Sequence, residues 1–392
     1  MNKVGLIIGT LPAKYIGIAA GGIATHIEGL IDSLHKKGIQ TYICYHKPFG
    51  IKHPEVINSS RIGWALAVLK GLIMLLFIQE HHWKKYTFKT NILLAYYYAT
   101  LRCFFKQETP DFIHIHSLYN PVSIALKLLK YNNNIIVTDH GFWVDTNNLT
   151  NNMTIHLLKE SFDVATKIIY ISDFALIQHQ KMQLGNLDKL VKISNPSFFY
   201  RYPCKQNTKT KNQKYRLIFN GYGKSMTIKG LPFLLDAVNN NEYLSRNLEL
   251  LIICNDEAHN YLRQRIWNFE YKVFGRTKFK DILDMYVQSD ILVVPSKFES
   301  FGLVYTEALA VGVPVIGYHE MIKEFRKTLA TYIGESINIM QEQPTDLAHK
   351  IIKCLETPFN RMEVRNALLK SYDWDILIDR FLSLYYDSKS VE

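Results

Sequence analysis

Cysteine is scarce and never paired. The five residues, Cys44, Cys103, Cys204, Cys254 and Cys354, are odd in number and scattered, and none forms a Cys-x-x-Cys. That pattern argues against a disulfide framework or a cysteine zinc site and suits a reducing compartment such as the cytoplasm. The N-terminal apolar run, within a strand and turn over residues 1–12, is too short and too soon broken to read as a signal peptide. No repeat of short period is visible, and the dinucleotide fingerprint Gly-x-Gly-x-x-Gly is absent. Acidic charge is also short: 46 Lys+Arg stand against 35 Asp+Glu, a net charge of +11. The excess is N-terminal, with 20 Lys+Arg and 12 Asp+Glu in residues 1–200 against 26 and 23 in the remainder. These charges gather into no long helix face and no Arg-rich run with interleaved aromatics. Nucleic acid is therefore not an expected partner, and an anionic membrane surface is the better one.

What is present is a globular alternation. At 392 residues, 48% hydrophobic and 21% charged, the chain predicts two or three domains with ample core. Apolar runs alternate with amphipathic stretches, the pattern of βα units and a parallel sheet. Strands are expected at 3–8, 40–45, 112–116, 134–138 and 167–171, and again at 215–220, 248–254, 290–295 and 314–318. Between the two sets, residues 195–203 and the polar stretch 205–214 read as an interdomain linker. The expected fold class is α/β, with two Rossmann-like, doubly wound domains facing each other across a cleft. Their expected extents are residues 1–196 and 197–375, followed by a terminal helix, 376–392, that could cross back to the first domain.

From Ile62 to Gln79 the chain is almost wholly apolar, interrupted by Lys70 and followed by His81, His82, Trp83, Lys84, Lys85 and Tyr86. A membrane span needs about 20 apolar residues, and one placed inside a Rossmann-type domain would cut the sheet from its helices. A buried packing helix and an interfacial helix resting on lipid both stay open, and the basic, aromatic tail favours the second. Peripheral contact with an anionic membrane through residues 62–86 is the resulting expectation, on the inner face of a cell membrane.

The chemistry concentrates in Ser296-Lys-Phe-Glu299-Ser-Phe-Gly302-Leu-Val-Tyr-Thr-Glu307-Ala-Leu-Ala-Val-Gly312-Val-Pro-Val-Ile-Gly317. A buried strand, 291–295, leads into a glycine-bearing turn, a short helix stopped by Gly312, and a second buried strand. Such a turn leaves backbone N–H groups and the positive end of a helix dipole where an anion can sit. Glu299 lies at the mouth, and Glu307, one helical turn after Leu303, can face the same crevice. A phosphate-friendly helix start flanked by two carboxylates suits a ligand with phosphates and sugar hydroxyls, as in a nucleotide sugar.

Other polar groups sit near strand ends. A glycine-rich turn with Gly21 and Gly22 feeds an amphipathic helix bearing His26, residues 110–117 hold His114 and His116 at alternate positions, and residues 135–142 end in Thr138, Asp139, His140 and Gly141. A packed structural histidine stands as the alternative at His26, His116 and His140. His114 and His116 share a face, but no third ligand is apparent, so no metal is expected. Gly223-Lys224-Ser225 mimics the end of a P-loop, yet its required first glycine falls at Ile218.

The 296–317 segment resembles the signature of the retaining GT-B glycosyltransferases of family four, the group 1 transferases: two glutamates separated by seven residues, then Ala-x-Gly-x-Pro-Val. The similarity extends to Gly21-Gly22-x-x-x-His26, Asp111-x-Ile-His114-x-His116, Thr138-x-His140-Gly141 and Gly223-Lys224 with Lys229-Gly230. It spans roughly residues 3–382, with 46–110 unmatched. The resemblance implies a first domain for the acceptor and a second for the donor. By position, Glu299 and His140 fall to the transferred sugar and Glu307 to the ribose. Lys224, Lys229 and the amides near Gly302 and Leu303 fall to the diphosphate, with Gly21, Gly22 and Gly223 approaching the phosphates. Phe274 falls near the base, Ser300 and Phe301 in the donor loop, and His26 and His116 on the acceptor side.

Catalysis would then rest on His140, Lys229 and Glu299 without metal or cofactor, and Asp373-Trp-Asp375 only imitates the Asp-x-Asp of metal-dependent GT-A enzymes. Lys224 stands where arginine is usual, which keeps the charge but not the bidentate fork. The implied reaction is hexosyl transfer with retention, by front-face substitution. The donor would be a nucleotide diphosphate sugar, UDP-linked by family habit, and the acceptor a glycan or lipid-linked molecule of bacterial envelope synthesis. A sugar-nucleotide epimerase and a catalytically inactive scaffold at the membrane stand as alternatives. Acceptor dependence separates the first from a transferase, and nucleotide binding the second.

Overall fold

The computed structural model describes residues 3–9, 11–16, 22–45, 53–57, 60–77, 87–116, 121–131, 134–141, 152–204, 214–223 and 225–387. The expectations placed on Gly21, Lys224, the basic tail at 81–86 and the linker stretch 205–213 lie outside these residues. The chain divides into two compact units, residues 1–194 with 377–392, and residues 195–376.

The first unit is built on a parallel sheet of β1 (Lys3–Ile8), β2 (Gln40–Tyr45), β3 (Phe112–Ile115), β4 (Ile135–Asp139), β5 (Lys167–Tyr170) and β6 (Leu190–Lys192), in the order β2-β1-β3-β4-β5-β6. Its strands are near-continuous apolar runs because helices cover both faces: Val4, Leu6, Ile7 and Ile8 are all buried, as are Ile135, Ile136 and Val137. The helix Gly22–Lys36 places Ala24, Ile27, Ile31 and Leu34 at helical spacing on the buried side and gives way to Gly38 in the left-handed region, φ 74°. Beyond β1 the chain turns toward β2, and beyond β3 toward β4. The two connections leave in opposite directions, and that divergence opens a crevice at the carboxyl ends of the strands.

The second unit repeats the device with β7 (Tyr215–Asn220), β8 (Leu248–Ile253), β9 (Glu270–Phe274), β10 (Ile291–Val294), β11 (Val315–Tyr318) and β12 (Gly334–Ile337), in the order β12-β11-β10-β7-β8-β9, all parallel. Here the divergence falls between β7 and β10. Three strands, β6, β9 and β12, go beyond the sequence expectation. All three are edge strands, and their mix of polar and apolar residues, half-exposed in β6 and β9, lacks the solid apolar run of a central strand.

The segment 195–203, expected as a linker, is packed structure instead. Phe199 and Tyr202 are buried, Ser197 N donates to Tyr372 O at 3.1 Å, and Arg365 donates to the carbonyls of Phe199, Tyr200 and Tyr202. The aromatic content of the segment is the reason, since burying rings of this size outweighs the turn-forming tendency of its prolines.

The apolar stretch at 62–77 forms the helix Arg61–Phe77, which packs on the helix Phe88–Gln107. Trp64 donates to Thr100 Oγ1 at 3.2 Å, and Gly71 lies so near Ala95 that a Cβ would meet its carbonyl oxygen at 3.2 Å. The opposite face carries Ile62, Leu66, Leu69 and Ile73, exposed by 75, 62, 53 and 46%. One face of this helix is therefore a packing face and the other is open.

The helix Trp374–Asp387 belongs to the first unit from Leu377 onward and buries Phe381 and Tyr385 there. Tyr385 OH lies 2.6 Å from His114 Nδ1, and His114 Nε2 lies 2.7 Å from Thr138 Oγ1. A neutral imidazole donates at one nitrogen only, so the two hydroxyls take opposite roles. Tyr385→Phe leaves a buried histidine nitrogen without its partner and is expected to destabilise the first unit by about 1–3 kcal/mol, read as a lowered denaturant midpoint at unchanged slope.

Candidate active site

In the second unit the divergence of β7 and β10 carries the charged residues. After β7 comes the single-turn helix Met226–Lys229, closed by Gly230. Gly230 has φ 76°, and a Cβ on it would stand 2.0 Å from Pro295 O, so only glycine lets this turn press against the end of β10. Lys297 N donates to Ile228 O at 2.8 Å and ties the two turns together. Lys229 Nζ consequently reaches Glu299 Oε2 at 2.5 Å, with both side chains nearly buried.

Gly302, φ 79°, opens the helix Leu303–Ala310, and no side chain caps it. A Cβ at Gly302 would meet the Tyr305 ring at 2.3 Å. The same tyrosine donates to Val294 O at 2.8 Å and accepts from Tyr318 N at 3.1 Å, fixing the helix to β10 and β11. Its N–H groups and positive dipole end are thus presented beside Lys229. Glu307 lies one turn further along. Tyr286 OH donates to its Oε2 across a long 3.4 Å, and Asn220 Nδ2 at the tip of β7 donates to Tyr286 OH at 2.8 Å. Burial pushes the Glu307 carboxyl up to about 8.

Of the other residues expected on the donor side, Ser300 is buried beside Glu299, and Phe301 packs against Phe325 and Tyr372 at ring separations of 5.3 and 5.8 Å. What Phe301 can offer a ligand is its backbone. Gly223 has φ 81° with open space around its Cβ position, so conformation and not crowding calls for glycine. Phe274 ends β9, at the edge of the sheet and two strands from β7. Asn220, Tyr286 and Tyr305 escape sequence reading, because their roles depend on which strands become neighbours.

In the first unit the divergence between β1 and β3 gathers histidines. His26 stands one turn into the helix Gly22–Lys36, His116 follows β3 and His140 follows β4. Ring centroids are 4.8 Å apart for His26 and His140, 5.6 Å for His26 and His116, and 5.4 Å for His116 and His140. His116 Nδ1 lies 3.2 Å from His140 Nε2, and His114 stacks on His116 at 4.2 Å. Asp139 anchors the tip of β4. It accepts from Gly141 N at 2.8 Å and lies 2.9 Å from Nε2 of His179, a buried partner with no sequence signal. Burial, followed by repulsion from neighbouring imidazoles, holds His26 and His116 well below the ordinary range and His114 down to about 3, while burial alone takes His140 down to about 4. All four are neutral at neutral pH and can serve as hydrogen-bond partners for hydroxyls.

Comparison with known proteins matches both halves. Residues 20–196 fit the family model Glycosyltransferase Family 4, and residues 205–370 fit Glycosyl transferases group 1. An uncharacterised glycosyltransferase of Methanocaldococcus jannaschii is 26% identical over 171 residues, 40% of this chain and 41% of that one. A 41.2 kDa protein in the cps region of Klebsiella pneumoniae is 24% identical over 227 residues, 53% of this chain and 59% of that one. The chain thus spans about half the length of these curated relatives. Sucrose-phosphate synthase from Thermosynechococcus elongatus has a TM-score of 0.74 at 15% identity, covering 100% of both chains, a likeness of fold. With two doubly wound sheets and a matching family model on each, the chain belongs to the group 1 glycosyltransferases of GT-B fold.

Proposed function

We propose that this chain transfers a hexosyl group, with retention, from a nucleoside diphosphate sugar to a glycan or lipid-linked acceptor of the bacterial cell surface. The observation that carries the reading is the buried Lys229–Glu299 pair beside an uncapped helix start, with Glu307 one turn away. Breaking the anomeric C–O bond puts negative charge on the departing diphosphate, and a fixed cation with backbone N–H groups stabilises it most where water is excluded. Lys229, Lys224 and the amides of Gly302 and Leu303 take that role, so the diphosphate needs no metal. Glu307 receives the ribose hydroxyls, and Glu299 and His140 the transferred sugar.

The ion pair stores both groups in working position. When the diphosphate takes over Lys229, the Glu299 carboxylate is released to a sugar hydroxyl. Among the described residues no carboxylate pair can be named on the acceptor side as a nucleophile, which favours front-face substitution within an ion pair. A UDP donor remains the family's habit.

The open face of the helix Arg61–Phe77 supports a peripheral place at the cytoplasmic side of a membrane. Ile62, Leu66, Leu69 and Ile73 recur at helical spacing, Phe88, Ile92 and Leu93 of the neighbouring helix are also exposed, and residues 60–107 hold seven Lys+Arg and one acid. Among the described residues no helix is long and apolar enough to cross a bilayer, so the surface would lie on lipid.

Lys229→Met is expected to lower the turnover number by about 100- to 1,000-fold, measured as nucleotide release in the presence of acceptor; a loss below threefold rejects the assignment. Because the folded protein holds the Glu307 carboxyl near 8 against an ordinary 4.5, the stability linked to that proton is full below about pH 4.5. It is lost as pH rises toward 8. Glu307→Gln should therefore unfold at about the wild-type temperature near pH 5 and at a higher one at pH 8, while binding nucleotide more weakly. In low salt the protein should sediment with anionic liposomes, and the double change Leu66→Glu with Leu69→Glu should leave most of it in the supernatant.

A further inference from the structure

We propose that His26, His116 and His140 form a three-histidine site for a divalent transition-metal ion of zinc's type, bound at the carboxyl ends of β1, β3 and β4 with one coordination position open. The ligating nitrogens of these three residues all lie within 4.8 Å of one another. A zinc ion with Zn–N bonds of about 2.0–2.1 Å in a tetrahedron separates its ligand nitrogens by about 3.4 Å. His116 Nδ1 and His140 Nε2 stand at 3.2 Å, already close to that edge, and no separation in the group, at most 4.8 Å, exceeds it by more than about 1.4 Å.

The donor set decides which ion. Three imidazoles with no carboxylate among them suit zinc, copper or nickel and not magnesium or calcium. Among the described residues the printed partner of His116 Nδ1 is His140 Nε2 and the reverse, so an ion bound by these two nitrogens takes them from each other and from no other group. His114 is not a ligand, since Thr138 and Tyr385 occupy both of its nitrogens. It instead backs His116 from below, and the hold of His179 and Gly141 on Asp139 keeps the strand tip that presents His140 in place.

One consequence rests on the transferase reading. His140 cannot hold both the ion and the transferred sugar, so zinc occupancy inhibits transfer and chelation restores it.

The test uses the full-length protein stripped with EDTA and titrated with Co²⁺. The site predicts one Co²⁺ per chain with strong tetrahedral visible bands, displaced by Zn²⁺. His26→Gln and His116→Gln should each weaken binding at least tenfold, while the exposed His349→Gln should leave it unchanged. X-ray absorption of the zinc-loaded wild type, which needs no variant to fold, should show three imidazole nitrogens at about 2.0 Å. Weak octahedral bands, no saturable binding or fewer than three imidazoles overturns the site, whatever the transfer assay gives. Strong bands with undiminished transfer keep the site and remove His140 from the sugar.

Discussion

Lys229 and Glu299 belong to two separate crossings of one sheet, and they can meet because the backbone after β7 presses directly on the end of β10 at Gly230. The rest of the second unit's site depends on that contact. Either charge alone would be stranded in a low-dielectric pocket, and removing one partner of such a pair costs more than the pair contributes. Together they are tolerable, and each is held where a ligand of the opposite character can replace the other. The Tyr305 hydroxyl does the equivalent service for the helix, spanning β10 and β11 so that the uncapped N–H groups keep a constant position relative to the lysine.

The two units keep polar groups out of water by opposite means. The second pairs charges, except at Glu307, where the carboxyl retains its proton instead. The first gathers histidines and keeps them uncharged, with hydroxyls at Thr138 and Tyr385 satisfying His114, and the contact of Asp139 with His179 set to one side. Both solutions sit where adjacent strands send their connections in opposite directions, the one place on an open parallel sheet where side chains from several segments converge without a helix lying across them.

Much of this was legible in the sequence, for physical reasons that also explain the gaps. Central strands such as β4 and β10 are solid apolar runs, and the turn with Glu299 and Gly302 is marked by residues that only its geometry requires. Edge strands such as β6 and β9 carry no such run. The segment at 195–203 misled because prolines and an asparagine read as a loop, while its aromatic rings decided the outcome. The pairing of Lys229 with Glu299 spans 70 residues and follows only from knowing that β7 and β10 are neighbours. His114 and His116 looked like an incomplete metal pair; the fold takes His114 away to Tyr385 and brings His26 and His140 to His116.

The closing partner of His114 is made 271 residues after it. During synthesis every strand of the first sheet, and then nearly all of the second unit, is made before the helix bearing Phe381 and Tyr385 exists. The first unit must therefore wait in a nearly complete state, with a polar atom unsatisfied and apolar surface uncovered, the condition in which nascent chains engage chaperones or aggregate. Final consolidation of the earliest-made half is postponed until this helix has been made, so a premature stop that spares every residue of both sheets would still leave that half unfinished.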